Sequence, residues 1–155
     1  MPATVANSVE LINKYQLDKN GEWDDVLWER LVRRVMKDNP EFPRFLAEQV
    51  MDQAIGFLCV IALNPGKMFS PAPLPDIGWH TFLLYTREYM AFCQRVAGRY
   101  IHHSPFDGPG GESSEPVECP ECTARHMREA GIGVIDSLWL PEQPKKRPRP
   151  WLLRR

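Results

Sequence analysis

The 155 residues fit one domain and are enough to bury a single core without disulfides. Hydrophobic residues at 43% and charged residues at 25% fit a soluble globular chain, and a net charge of -1 excludes a strong bulk field toward nucleic acid or acidic lipid. No secretory leader is legible in MPATVANSVELINKYQ, and the most apolar run, Ala54 to Leu63, is too short to span a bilayer, so a cytoplasmic protein with reduced cysteines in metal or redox roles is expected.

Taken in order, residues 8–19 suit a short helix with Val9, Ile12 and Tyr15 on one face, ended by Asn20-Gly21. Asp24 is placed to cap the next helix. There Leu27, Trp28, Leu31, Val32, Val35 and Met36 repeat at amphipathic spacing until Asn39-Pro40. A longer helix is predicted from about Pro43 to Leu63, with a stripe of Leu46, Val50, Ala54, Phe57, Leu58 and Ile61. It turns apolar nearly all round near its end, as a central core helix does, and Cys59 within it reads as a small buried hydrophobe. The prolines of MFSPAPLP favour a stiff, extended connection.

Pro75 to His103 carries three of the four histidines. A helix beginning at Asp76 puts Asp76 and His80 on one face, with Tyr85, Tyr89, Phe92 and Val96 on the apolar side. On one unbroken helix Cys93 would stand about 140° from His80. Thr86, followed by Arg87-Glu88, suggests a second start. Two helices meeting near Tyr85-Thr86 are therefore expected, the second ending at Gly98. His102 and His103 point in different directions, so at most one joins a given site. Histidine nitrogen and cysteine sulfur are zinc ligands, and a carboxylate such as Asp76 can orient a histidine from behind. Three readings stand side by side: a polar network with His80 beneath Trp79, a metal site, and general acid–base chemistry by His80.

Asp76-Ile77-Gly78-Trp79-His80-Thr81, with Tyr89, Cys93 and His102-His103, resembles the D-x-x-W-H-T segment of the glycine-rich domain-containing protein-like family. The resemblance covers about residues 70–105. Phe82 stands where the W-H-T-H form has a second histidine, and there is no glycine-rich tail. It implies a helical fold of the small stand-alone kind and a role for Asp76, Trp79 and His80. It implies no reaction.

Residues 106–118 read as a flexible acidic loop. Cys119-Pro120-Glu121-Cys122 then has the turn of a zinc knuckle but no second C-x2-C. His126 lies at matching spacing if the following helix starts early, and His102 or His103 could reach back to the pair. Free thiols, or a redox pair at a helix N-terminus, are the other readings. Residues 123–130 suit a short helix ended by Gly131, and Ile135, Leu138 and Trp139 suit a further turn packed on the core. Residues 141–155 form a proline-rich basic tail holding six of the nineteen basic residues, with Trp151, Leu152 and Leu153 as an apolar anchor for a protein partner.

The expectation is thus an all-α domain over residues 1–140, of roughly five to seven helices, with the tail outside it. It is expected to be a small metal-binding accessory or interaction protein using zinc. The candidate ligands are His80, His102, His103, Cys119, Cys122 and Cys93, with Asp76 behind them. A metal-dependent enzyme with His80 in an open site is one alternative; a metal-free adaptor docking through its tail is the other. Neither nucleic acid nor membrane is expected as a partner.

Overall fold

The computed structural model describes residues 24–104 and 116–140. The predicted helix at 8–19, most of the acidic loop and the tail with Trp151, Leu152 and Leu153 lie outside the described residues. Among those described, six helices and one two-residue strand pair form a single helical domain, as the all-α reading expects.

Helix α1, Asp25–Asp38, starts where Asp24 caps it: the Leu27 N–H donates to Asp24 Oδ1 at 2.8 Å. It buries Leu31, Val32 and Val35, and its end is closed by the Asn39 side chain donating to the Val35 carbonyl. Helix α2, Arg44–Leu63, buries eleven of its residues, each large apolar one contributing about 1.5–3 kcal/mol of transfer free energy. Cys59 is wholly buried in it, and burial pushes its thiol pKa up, as befits an inert core residue. Taken whole, α2 is long and apolar enough to cross a membrane, which the shorter apolar run had not suggested; 61% of its most apolar window is buried inside this fold.

The proline stretch departs from expectation. Met68–Phe69 form strand β1, and helix α3, Pro73–Leu83, begins three residues before Asp76. Pro73 and Pro75 are tolerated because the first-turn N–H groups of a helix have no intrahelical acceptor to lose. Helix α4, Thr86–Ala97, follows after Tyr85 and ends at Gly98, which adopts the left-handed conformation at φ 65°. Strand β2, Val117–Glu118, pairs in parallel with β1, so the end of the expected loop is ordered. Helix α5, Pro120–Glu129, starts three residues earlier than the expected 123–130, with Cys119 as its N-cap. Helix α6, Asp136–Trp139, is the last turn.

The core is built around α2. On α3, Gly78 rests directly on it: a Cβ there would come within 2.7 Å of Ala54 Cβ and 2.8 Å of the Val50 carbonyl oxygen. That close seat turns Trp79, Thr81 and Phe82 inward and leaves Asp76 and His80 outward.

Candidate metal centre

Three side chains converge at the outer face of α3. Asp76 and His80, one turn apart, come from the helix itself, and His103 comes from the segment beyond α4. His80 Nε2 lies 2.7 Å from His103 Nε2. Asp76 Oδ1 lies 3.0 Å from His103 Nε2, and Asp76 Oδ2 lies 3.4 Å from His80 Nε2. The His80 side chain is 57% exposed and that of His103 18%, so the cluster opens to solvent on the His80 side.

A buried hydrogen-bond chain carries His103 there. The Tyr89 hydroxyl on α4 donates to the Ile101 carbonyl at 2.6 Å and accepts from Trp79 Nε1 at 2.9 Å. Tyr89 is fully buried, and burial raises its phenol pKa, so it stays a neutral donor. Ile101 is thereby anchored, and two residues later the His103 ring lies on Trp79 with centroids 4.3 Å apart. Trp79 in turn stands edge-on to Phe57 of α2 at 5.1 Å. Trp79 therefore backs His103 rather than covering His80.

The three groups offer donor atoms that a cation would bridge. Each neutral imidazole presents either an N–H or a lone pair at Nε2, and the carboxylate presents only lone pairs. One N–H at His103 Nε2 faces both Asp76 and His80 and satisfies one of them. Any further neutral N–H replaces acceptor capacity rather than adding positive charge. A divalent ion would meet all three lone pairs at once. Donors about 2.0–2.2 Å from a tetrahedral ion stand about 3.3 Å apart, so the nitrogen pair would have to open by about half an ångström while the carboxylate contacts barely change.

The remaining predicted ligands are elsewhere. His102 is exposed, with its ring on Tyr100 at 4.7 Å. Cys93 is fully buried beside Tyr89 and Ile101, and burial pushes its thiol pKa up. Cys119 and Cys122 are joined to each other as a disulfide, because the tight Cys-Pro-Glu-Cys turn aims each sulfur at the other. His126 stands edge-on to Phe69 at 5.3 Å, with Glu118 and Glu129 beside it. Among the described residues, Asp76, His80 and His103 form the only group of three or more such side chains whose donor atoms lie within 4.8 Å of one another. Two expectations are corrected. The cysteine pair does not complete the histidine site. Asp76 reaches both histidines at Nε2, where a ligand would sit, rather than orienting them from behind. Sequence reasoning missed the hydrogen bonds of the Tyr89 hydroxyl, a residue it placed on the apolar face and in the family motif, and the close seat of Gly78 on α2.

Fold and site together define a small helical protein with a solvent-facing His–His–Asp cluster. A family model described as UCP032817-like matches residues 8–112, and the chain belongs to that family. This replaces the resemblance to the glycine-rich domain-containing protein-like family, which rested on a short helical segment. Where the W-H-T-H form has a second histidine, Phe82 is a core residue, with its ring 5.2 Å from both Tyr89 and Phe92. No curated protein and no solved structure matches the chain.

Proposed function

We propose that this is a small metal-binding protein that holds one divalent transition-metal ion, zinc first among the candidates, through Asp76, His80 and His103. The observation that carries the reading is the convergence of two Nε2 atoms and a carboxylate on one point. Imidazole nitrogen and carboxylate oxygen suit zinc, and also iron or nickel. Only three protein ligands meet, and the His80 side is open. A tetrahedral ion would keep a fourth position for water or a substrate atom, which favours the metal-dependent enzyme as the second reading. An accessory role in the cytoplasm is compatible with the same site; the tail as a docking segment gains no support from the described residues.

Full-length protein purified without a metal-binding tag is expected to bind about one equivalent of zinc, by elemental analysis and calorimetry. His103→Ala and Asp76→Ala should each weaken binding beyond the roughly tenfold to hundredfold typical of outer partners, whereas Cys119→Ser should leave it unchanged. Zinc uptake that is absent, or that persists undiminished when Asp76→Ala and His103→Ala are combined, would overturn the reading.

A further inference from the structure

The four cysteines divide sharply. Cys59 and Cys93 are buried in the core, while Cys119 is exposed and Cys122 half-buried. The latter pair lies beyond the family-matched span of residues 8–112 and outside the histidine cluster. We propose that Cys119 and Cys122 form a thiol–disulfide exchange site, cycling between dithiol and disulfide with a low-molecular-weight disulfide as co-reactant.

Several features support a reactive pair over a staple. The disulfide links residues only three apart, so it closes a very short loop and removes little entropy from the unfolded chain. The turn that carries it is held independently of the bond. Ser70 N–H donates to the Glu118 carbonyl at 2.9 Å, beside the β1–β2 pairing. The buried Thr123 hydroxyl lies 2.9 Å from the Ser70 carbonyl and 3.0 Å from that of Cys119. Ala124 and Met127, both fully buried, root α5 in the core. A dithiol on this platform stays poised for closure. The two sulfurs are also unequal. Cys119 is the N-cap of a ten-residue helix, and its sulfur accepts the Cys122 N–H at 3.1 Å, the position in which a thiolate gains most from backbone donors. Cys119 is therefore the attacking sulfur and Cys122 the resolving one.

The exchange balances as follows. The Cys119 thiolate attacks one sulfur of the small disulfide, forming a mixed disulfide and expelling one small thiolate. Cys122, losing its proton to solvent, then attacks the Cys119 sulfur, closing the intramolecular disulfide and expelling the second thiolate. The protein dithiol loses two electrons, and the small disulfide gains them as two thiols.

The test equilibrates the full-length protein in glutathione buffers of varied ratio, quenches with an alkylating agent and reads intact mass. Excess oxidised glutathione should cost the protein two of its four alkylatable thiols under denaturing conditions, and excess reduced glutathione should restore both. Cys122→Ser should trap one glutathione on Cys119, and Cys119→Ser should trap far less on Cys122. In Asp76→Ala the same two thiols should be lost and regained although zinc binding weakens, which separates this site from the metal reading. A pair that stays fully alkylatable in oxidised glutathione, or a bond that reduced glutathione fails to open, overturns the proposal. So does zinc that is bound by the pair and lost in Cys119→Ser.

Discussion

At the scale of single residues, Tyr89 connects the core to the candidate metal centre. Its hydroxyl uses both its donor and one acceptor position, on the Ile101 carbonyl and the Trp79 indole. Tyr89→Phe keeps the ring and leaves those two buried groups without their partner, so a loss of about 1–3 kcal/mol is expected in chemical denaturation. Because Ile101 stands two residues before His103, zinc binding should also weaken by roughly tenfold, the lower end of what an outer partner supplies. A variant with lowered stability and unchanged zinc affinity would mean that His103 is positioned by its ring contact with Trp79 alone. The same residues show what was legible beforehand. Asp76 and His80 follow from helical spacing, since residues four apart share a face. The choice of His103 over His102 does not, because it depends on where the chain returns after Gly98, and a hydrogen bond between residues twelve apart settles that. Cys93 and the Cys119–Cys122 pair share ligand chemistry with the histidines but not location, and only the packed fold separates them.

Among the helices, amphipathic spacing and capping residues revealed most of the architecture. Asp24, Asn39, Asn64 and Gly98 stand at the ends where turn chemistry predicts them. The beginnings of α3 and α5 do not stand out in the sequence, because the prolines of MFSPAPLP read as an extended connection and Cys-Pro-Glu-Cys as a knuckle turn, although proline is well suited to a first helical turn. The short β1–β2 pairing carries no periodic signal that two residues could display. The α1–α2 seam makes a charge-based prediction. Arg44 grips both carboxylate oxygens of Glu29, at 2.6 and 3.1 Å, and Arg33 adds a further bond at 2.6 Å. Hydrogen bonding from Arg44, then from Arg33, lowers the Glu29 pKa from 4.5 to about 2. A depressed carboxylate stabilises the folded state fully above the unfolded pKa, and that contribution fades as pH falls from about 4.5 toward 2. Glu29→Gln should therefore lower the urea midpoint at neutral pH, and the gap from wild type should close across that acidic window. One molar salt should narrow it as well, because the pair is solvent-facing. A gap that is constant with pH would trace the effect to packing instead.

For the molecule as a whole, the question is what holds the C-terminal segment to the rest, and the answer is centred on one buried amide. Gln53 of α2 is 1% exposed. Its Nε2 donates to the Gly133 carbonyl at 3.0 Å and to Asp52 at 2.8 Å, while its Oε1 accepts from Ile135 N–H at 3.0 Å and from Trp139 Nε1 at 2.8 Å. The amide is fully used, and residues 133–139 are fastened by it 80 to 86 positions along the chain. Gln53→Leu preserves bulk but strands the Gly133 carbonyl, the Ile135 N–H and the Trp139 indole. About 3 kcal/mol or more should be lost, since each buried unpaired group costs about 1–3 kcal/mol. Fluorescence should report Trp139 becoming wetter. Gln53→Glu makes a sharper test, because it keeps the acceptor for Ile135 and Trp139, loses the donor to Gly133 and sets a second carboxyl beside Asp52. Burial already raises the Asp52 pKa above its ordinary value, and a neighbouring carboxylate pushes it further the same way. Carboxyls with raised folded pKa values cost stability as pH rises through the unfolded value. Gln53→Glu should thus be most damaging at neutral pH and recover on acidification, whereas Gln53→Leu should be equally damaging throughout. Parallel pH profiles for the two variants would show that the lost hydrogen bonds, and not the added charge beside Asp52, decide how firmly α6 is held on α2.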